Sequence, residues 1–419
     1  MDGRTYRVIV SNNGCSPATS NGLATLTVNT APAISAAPAD VTICSGSNAT
    51  FSATATGTNL TYQWQENSGS GFVDLSNGGV YGDVTTATLA LTNVPVSMDG
   101  RTYRVIVSNR GCTSATSNGL ATLTVNTAPA ISAAPADVTI CSGSNTSFSA
   151  TATGTNLTYQ WQENSGSGFV NLSNGGVYGD VTTATLALTN VPVAVNGRTY
   201  RVIVSNAGCT SATSNGLATL TVNTAPAIST APANATICSG SNTSFSVTAT
   251  GTNLTYQWQE DNGSGFVNLS NGGVYGGVTT ATLALTNVPV SMTSNRYRVV
   301  VSNSGCTSAT SNGLATLTVN TAPAISAAPT DVTICSGSNT TFSATATGTN
   351  LTYQWQEDSG SGFVNLSNGG VYSGVTTATL ALTNVPVSMT SNRYRVIVSN
   401  TGCTSATSNG LATLTVNTA

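Results

Sequence analysis

Nine cysteines in 419 residues, with no histidine and no lysine anywhere, are the side chains best equipped for chemistry in this chain. They fall into two registers. Cys44, Cys141, Cys238 and Cys335 form one, Cys15, Cys112, Cys209, Cys306 and Cys403 the other, and each advances by 97 residues. No Cys-x-x-Cys pair occurs and no imidazole can complete a ligand set, which speaks against zinc and against a dithiol redox centre. Disulfides are the natural reading, with buried free thiols as the bland alternative. A Ser or Cys nucleophile would lack an ordinary base, and no carboxylate pair is set apart as an acid–base couple. The expectation is a chain with no catalytic residue, no cofactor and no metal, that is, not an enzyme.

The remaining polar candidates each have a plainer reading. Glu260–Asp261 and Glu357–Asp358 are adjacent carboxylates, but successive strand residues point to opposite faces, so solvated charge at a loop edge is expected rather than a calcium site. Asp83 lies in a Thr/Gly-rich loop with too few carboxylates around it, and Gly replaces it in two of the repeats. Arg104, Arg201, Arg298 and Arg395 recur on one outward face, where each is expected to lie across the neighbouring Gln63 and Gln65 type residues. Tyr81, Tyr178, Tyr275 and Tyr372 sit in glycine-rich loops, either folded back as plugs or exposed for stacking on sugar rings. Asn59 and Asn171 open Asn-x-Ser/Thr sequons.

These residues are carried by an internal repeat. NTAPAIS begins at Asn29, Asn126, Asn223 and Asn320, fixing a 97-residue period. The expected organisation is a fragment at 1–29 that holds the last two strands of a unit, then full units at 30–126, 127–223, 224–320 and 321–417. Because MDGRTYRVIV at 1–10 recurs at 98–107, Met1 is read as an internal position of a longer repeat array. Only 6% of residues are charged, every cation is Arg, and the net charge is −3. Nucleic acid, which needs a basic stripe, is not an expected partner. Nor is direct membrane contact, since no run approaches a membrane span.

Within one unit, Thr, Val, Leu and aromatics alternate over short runs punctuated by Gly, Asn and Ser, with no helical period; this predicts an all-β sandwich of antiparallel strands. The strands are expected at 40–44, 49–56, 60–66, 71–75, 87–94, 101–109 and 121–126. Alternation puts Phe51, Ala53, Trp64, Leu89, Leu91, Tyr103, Val105, Val107, Leu123 and Val125 on the inner faces. The expected core anchors are Trp64, Trp161, Trp258 and Trp355 with Tyr103, Tyr200, Tyr297 and Tyr394.

A Trp in the third strand, and LALTNV followed by DGRTYRV, resemble the immunoglobulin superfamily over the whole of each unit, with Tyr103 at the tyrosine-corner position. The family's two inter-sheet cysteine positions are held by Ala53 and Val105 instead. The placement of the cysteines outside the core resembles the immunoglobulin-like repeats of giant secreted bacterial surface adhesins, including gliding-motility adhesins. That resemblance implies tandem domains in a head-to-tail rod, outside the cell at its surface, acting as a stalk that presents a distal adhesive region. Alternatives of a different class are repeats that bind glycan or protein ligands multivalently, and a fibre in which copies of the filament self-associate.

In immunoglobulin topology the turn after the first strand and the loop after the sixth lie at opposite ends of the sandwich, separated by roughly 25 Å of strand, whereas a disulfide needs Cα atoms within about 7 Å. Neighbouring repeats in a head-to-tail array would bring Cys44 near Cys209, Cys141 near Cys306 and Cys238 near Cys403. Cys15, Cys112 and Cys335 would then be left unpaired. Pairing of Cys44 with Cys112 inside each unit stays open, because a displaced first strand would undo the geometry.

Overall fold

The computed structural model describes residues 1–20, 24–117, 120–214, 217–311, 315–408 and 412–418. Residues 1–29 form two short antiparallel pairs, β1 (Thr5–Tyr6) with β4 (Ala24–Thr25) and β2 (Ile9–Val10) with β3 (Ala18–Thr19). Tyr6, Val8 and Val10 are 50–64% exposed, while Tyr103, Val105 and Val107, one period later, are 0% exposed. The sequence is the same; what differs is the facing sheet.

The first full repeat supplies it. Its strands are β5 (Ala33–Ala36), β6 (Val41–Cys44), β7 (Ala49–Ser52), β8 (Thr54–Thr56), β9 (Thr61–Asn67), β10 (Phe72–Asp74), β11 (Tyr81–Gly82), β12 (Thr88–Leu91), β13 (Thr102–Ser108), β14 (Ala115–Thr116) and β15 (Ala121–Asn126). One sheet runs β10-β9-β13-β15-β6, with β14 added to β13. The other joins β11-β12-β7, and β5 pairs with β8 in continuation of β7. All pairs are antiparallel except β15 with β6, which is parallel and sets Asn126 opposite Cys44. A two-layer sandwich in this strand order is an immunoglobulin-like domain, and the same order returns in the later repeats.

Alternation in β9 and β13 sends Trp64, Tyr103, Val105 and Val107 into the space between the sheets, all with no exposed surface. The Trp64 indole N–H donates to Thr86 O at 2.9 Å, so burying the ring leaves no polar group unpaired. Phe51 and Tyr103 stack with ring centroids 4.7 Å apart, worth about 0.5–1.5 kcal/mol beyond the area they bury. Ala53 and Val105 are buried where the superfamily resemblance would put a disulfide; in the third repeat Val247 stands in place of Ala53. Trp161, Trp258 and Trp355, with Tyr200, Tyr297 and Tyr394, are likewise fully buried.

Three strands lie outside the sequence expectation. The Ala33–Ala36 stretch, outside the expected strands, is β5, hydrogen-bonded to β8 through a register shift at Ile34/Ala36. Ala-Ile-Ser-Ala shows no polar–apolar alternation, and pairing alone defines it. β11 and β14, two residues each, are equally short of any periodic signal. The described chain falls into two compact units, one of residues 1–138 with 143–221, the other of residues 139–142 with 222–419.

Candidate functional site: the stapled junctions and a buried carboxylate

The parallel β6–β15 pair decides where the first-register cysteine lies. Cys44 ends β6 beside the exit of the repeat at Asn126, whereas Cys112 follows β13 at the opposite end of the strands. The structure joins Cys44 to Cys209 with Cα atoms 4.8 Å apart. In the second unit it joins Cys141 to Cys306 and Cys238 to Cys403 with the same 4.8 Å spacing. Each pair is separated by 165 residues, well beyond one repeat, so every bridge links one repeat to the next. Cys15, Cys112 and Cys335 are free, with Cys15 and Cys335 exposed.

Around each bridge the linker is clamped by side-chain amides. Asn126 is 2% exposed and donates through Nδ2 to Ala207 O at 2.8 Å. Its Oδ1 accepts from Thr155 at 2.9 Å and from Asn156 at 2.8 Å. Asn206 returns from the following repeat, donating to Thr127 O and Thr155 O at 2.8 and 2.9 Å. In the second unit Asn223 and Asn303 repeat the pattern on Ser304 O, Thr224 O and Thr252 O. Gly208 makes the approach possible: it has φ +84°, and a Cβ there would meet Ile43 C at 2.8 Å. Gly305 and Gly402 stand against Ile140 and Ile237 in the same way. Gly111, beside the free Cys112, has open space instead.

Asn156 belongs to the same repeat position as Asn59, one of the sequon asparagines. Because its amide nitrogen is spent on Asn126, a glycan there would remove a donor from the clamp. Asp83 is exposed with φ 59°, and Asp180, Gly277 and Gly374 share the positive φ; the turn selects residues that tolerate the left-handed region, which explains why Gly alternates with Asp there. No cluster of three or more metal-ligating side chains occurs among the described residues.

The carboxylates depart from the expectation of solvated charge. Glu66 is 5% exposed and accepts from Arg101 at 2.6 Å, from Tyr103 at 3.3 Å and from Tyr81. Tyr81 is thus a half-buried plug whose hydroxyl is spent inside the domain. The resemblance to a tyrosine corner holds for the position of Tyr103, but its hydroxyl serves a carboxylate here. Burial, reinforced by Glu66, holds the Tyr103 hydroxyl well above its ordinary value and keeps it a donor. A signal exists in the sequence: Glu66 shares the inward phase of Trp64, two residues along β9.

In repeats 224–320 and 321–417 the arrangement changes as a set. Asn295 takes the place of Arg101 and donates to Glu260 at 2.8 Å, while Tyr275 and Tyr297 each donate at 2.6 Å. The cation moves one residue on to Arg296, and its partner Asp261 replaces Asn67. Asp261 is 3% exposed and also accepts the N–H groups of Gly263 and Gly265 at 2.8 and 2.9 Å, as Asn67 accepts those of Gly69 and Gly71. Those two backbone donors, then Arg296, hold the Asp261 carboxyl below its usual value. Arg393 and Asp358 repeat the pair. The glycine turn that follows and Arg296 on the neighbouring strand close over this strand end, burying a position whose outward phase predicted exposure.

Arg104 does engage its neighbouring strand. Its Nε donates to Gln65 at 2.6 Å and its guanidinium lies 4.0 Å from the Phe72 ring centroid, whereas Gln63 turns to the backbone oxygens of Trp64 and Leu75. Arg201, Arg298 and Arg395 repeat the stacking at 4.0 Å.

A family model described as a domain of unknown function (DUF8696) matches residues 227–321. Endoglucanase C of Cellulomonas fimi is 34% identical over 191 residues, which is 44% of this chain and 16% of that protein, so the match spans about a sixth of the curated relative's length. Among solved structures, the titin I-band fragment I67–I69 covers 69% of this chain and 98% of its own length at 19% identity, with a TM-score of 0.49. The N-terminal eight immunoglobulin domains of Down Syndrome Cell Adhesion Molecule cover 99% of this chain, and 52% of that chain, at 18% identity and a TM-score of 0.44. The chain is a tandem array of immunoglobulin-like antiparallel β-sandwich domains, an assignment carried by its own strand order and its three inter-repeat bridges.

Proposed function

We propose that the chain is a structural segment of a large extracellular bacterial surface protein, in which each 97-residue repeat is one domain and the array supplies length and stiffness to present a distal adhesive region. The observation that carries this reading is the junction. A disulfide, a buried Asn ending the last strand of the repeat and a glycine packed against the preceding repeat's backbone recur together at successive repeats. Such a junction suppresses hinge motion, which a spacer needs and a catalyst does not. Disulfides persist in oxidising surroundings, which supports a position outside the cell. The partners on this reading are the neighbouring repeats of the same chain.

Small-angle scattering of the chain, oxidised and then reduced, tests it. The oxidised chain is expected to give a narrow distribution of end-to-end distances that broadens on reduction. Equal breadth in both states would refute a stiffening role.

The match to Endoglucanase C favours a second reading, in which such repeats are accessory modules beside a domain acting on glucan and themselves engage surface glycans, with avidity rising with repeat number. Specific retention of the chain on a glycan array would select this reading over a pure spacer. Side-by-side association of filaments into a matrix fibre would show instead as concentration-dependent light scattering.

A further inference from the structure

The spacing of the bridges has a mechanical consequence that follows from covalent topology alone. Each bridge spans 165 residues while the repeat advances by 97, so successive bridged loops overlap: Cys141 lies inside the loop closed by Cys44–Cys209, and Cys209 and Cys238 lie inside the one closed by Cys141–Cys306. We propose that the overlapping bridges make the chain a length-limited tether, in which tension applied at the two ends is carried by a short covalent route that leaves most residues of each full repeat unloaded. This deepens the structural reading above and rests on it for its biological use.

The route runs through residues 1–44, crosses to Cys209, follows residues 209–238, crosses to Cys403 and leaves through residues 403–419. It contains about 90 of the 419 residues. At the roughly 3.5 Å that an extended residue spans, it cannot exceed about 320 Å, against about 1450 Å for the unbridged chain. Between the two crossings the route uses the strands Ala212–Thr213, Ala218–Asn223, Ala227–Thr230 and Ala235–Cys238 and the segments between them. Trp161 and Trp258 lie off it with most of the strands of their sandwiches, since the route takes only the last strands of one and the first strands of the other. Unfolding of either middle sandwich therefore adds nothing to the length limit of an oxidised chain, whereas in a reduced chain each repeat lies in series and its unfolding lengthens the tether.

The middle bridge has a different role from the outer two. Cys141–Cys306 is not on the shortest route, so its loss changes nothing while the outer bridges stand. When Cys44–Cys209 is lost, the shortest route runs through residues 1–141, back along 306–238 and out through 403–419, about 230 residues or about 800 Å. The middle bridge then carries the tension. The array keeps a length limit after one outer bridge breaks.

Single-molecule pulling of the full chain from its two ends tests this, with Cys15, Cys112 and Cys335 changed to Ser to prevent exchange. The oxidised chain is expected to reach a limiting contour of about 320 Å, and reductant to release it to about 1450 Å. The Cys141→Ser/Cys306→Ser variant is expected to keep the limit of about 320 Å, and Cys44→Ser/Cys209→Ser to move it to about 800 Å. Each variant under reductant must give the full contour, which ties the limit to the bridges, and non-reducing peptide mapping of the same sample recognises one that has paired its cysteines otherwise. Release of the full contour from the oxidised chain, or a longer limit in Cys141→Ser/Cys306→Ser, overturns the proposed route. Either result leaves the spacer reading standing; ligand binding would sink the spacer reading and leave the route untouched.

Discussion

Replacing Gly208 with Ala puts a methyl group where the junction has no room. Two penalties separate cleanly. Gly208 has φ +84°, a conformation that costs a residue with a Cβ about 1–2 kcal/mol. The new Cβ would also lie 2.8 Å from Ile43 C and 2.9 Å from Ile43 Cα, backbone atoms of a paired strand that cannot swing aside. Overpacking of this kind costs about 1–3 kcal/mol. Only the second penalty depends on the repeats being docked, so it falls on the Cys44–Cys209 equilibrium. At about 1.4 kcal/mol per tenfold, the effective concentration of the two thiols drops about 5- to 150-fold. The assay equilibrates the chain in graded glutathione buffers and quantifies each bridge by non-reducing peptide mapping. The Cys44–Cys209 midpoint is expected to shift by that factor, with Cys238–Cys403 unchanged in the same molecules. Gly111→Ala carries the first penalty alone, since Gly111 has φ +90° and open space, and is expected to leave all three bridges where they were. An unshifted Cys44–Cys209 midpoint in Gly208→Ala would refute the claim that close backbone approach positions the bridge.

Two further outcomes test the buried carboxylates. Arg101→Asn strips Glu66 of its cation and is expected to destabilise its repeat by about 1–3 kcal/mol in urea unfolding, whereas adding Asn67→Asp and Thr102→Arg rebuilds the arrangement of the third repeat and restores stability to within about 1 kcal/mol. Asp261 and Asp358 have depressed folded values against an ordinary 3.8, so the stability they contribute is present above that value and lost as pH falls through the folded one. Asp261→Asn/Asp358→Asn, which installs the residue found at Asn67, is expected to flatten the fall in melting temperature below about pH 4; an unchanged acid limb would show that these carboxylates are not the groups responsible.

What the sequence determined by itself is what repetition and strand period encode. The 97-residue spacing, the all-β class and the inward set around Trp64 and Tyr103 follow from alternation, because a strand shows its faces in its own residues. Glu66 lies in the same inward phase and is legible in principle; its charge argues for solvent, and only the convergence of Arg101, Tyr81 and Tyr103 from three other strands and loops makes its burial tolerable. Tertiary structure alone decided β5, whose Ala-Ile-Ser-Ala has no period, and the burial of Asp261, which the Gly263 and Gly265 N–H groups and Arg296 cover at the end of its strand. It also decided between Cys44–Cys209, which the expected ends of the strands favoured, and Cys44–Cys112, since spacing in sequence by itself is consistent with both. The parallel pairing of β6 with β15 places Cys44 at the end of the sandwich that meets the next repeat, and which end a residue occupies is a property of the sheet, not of the strand.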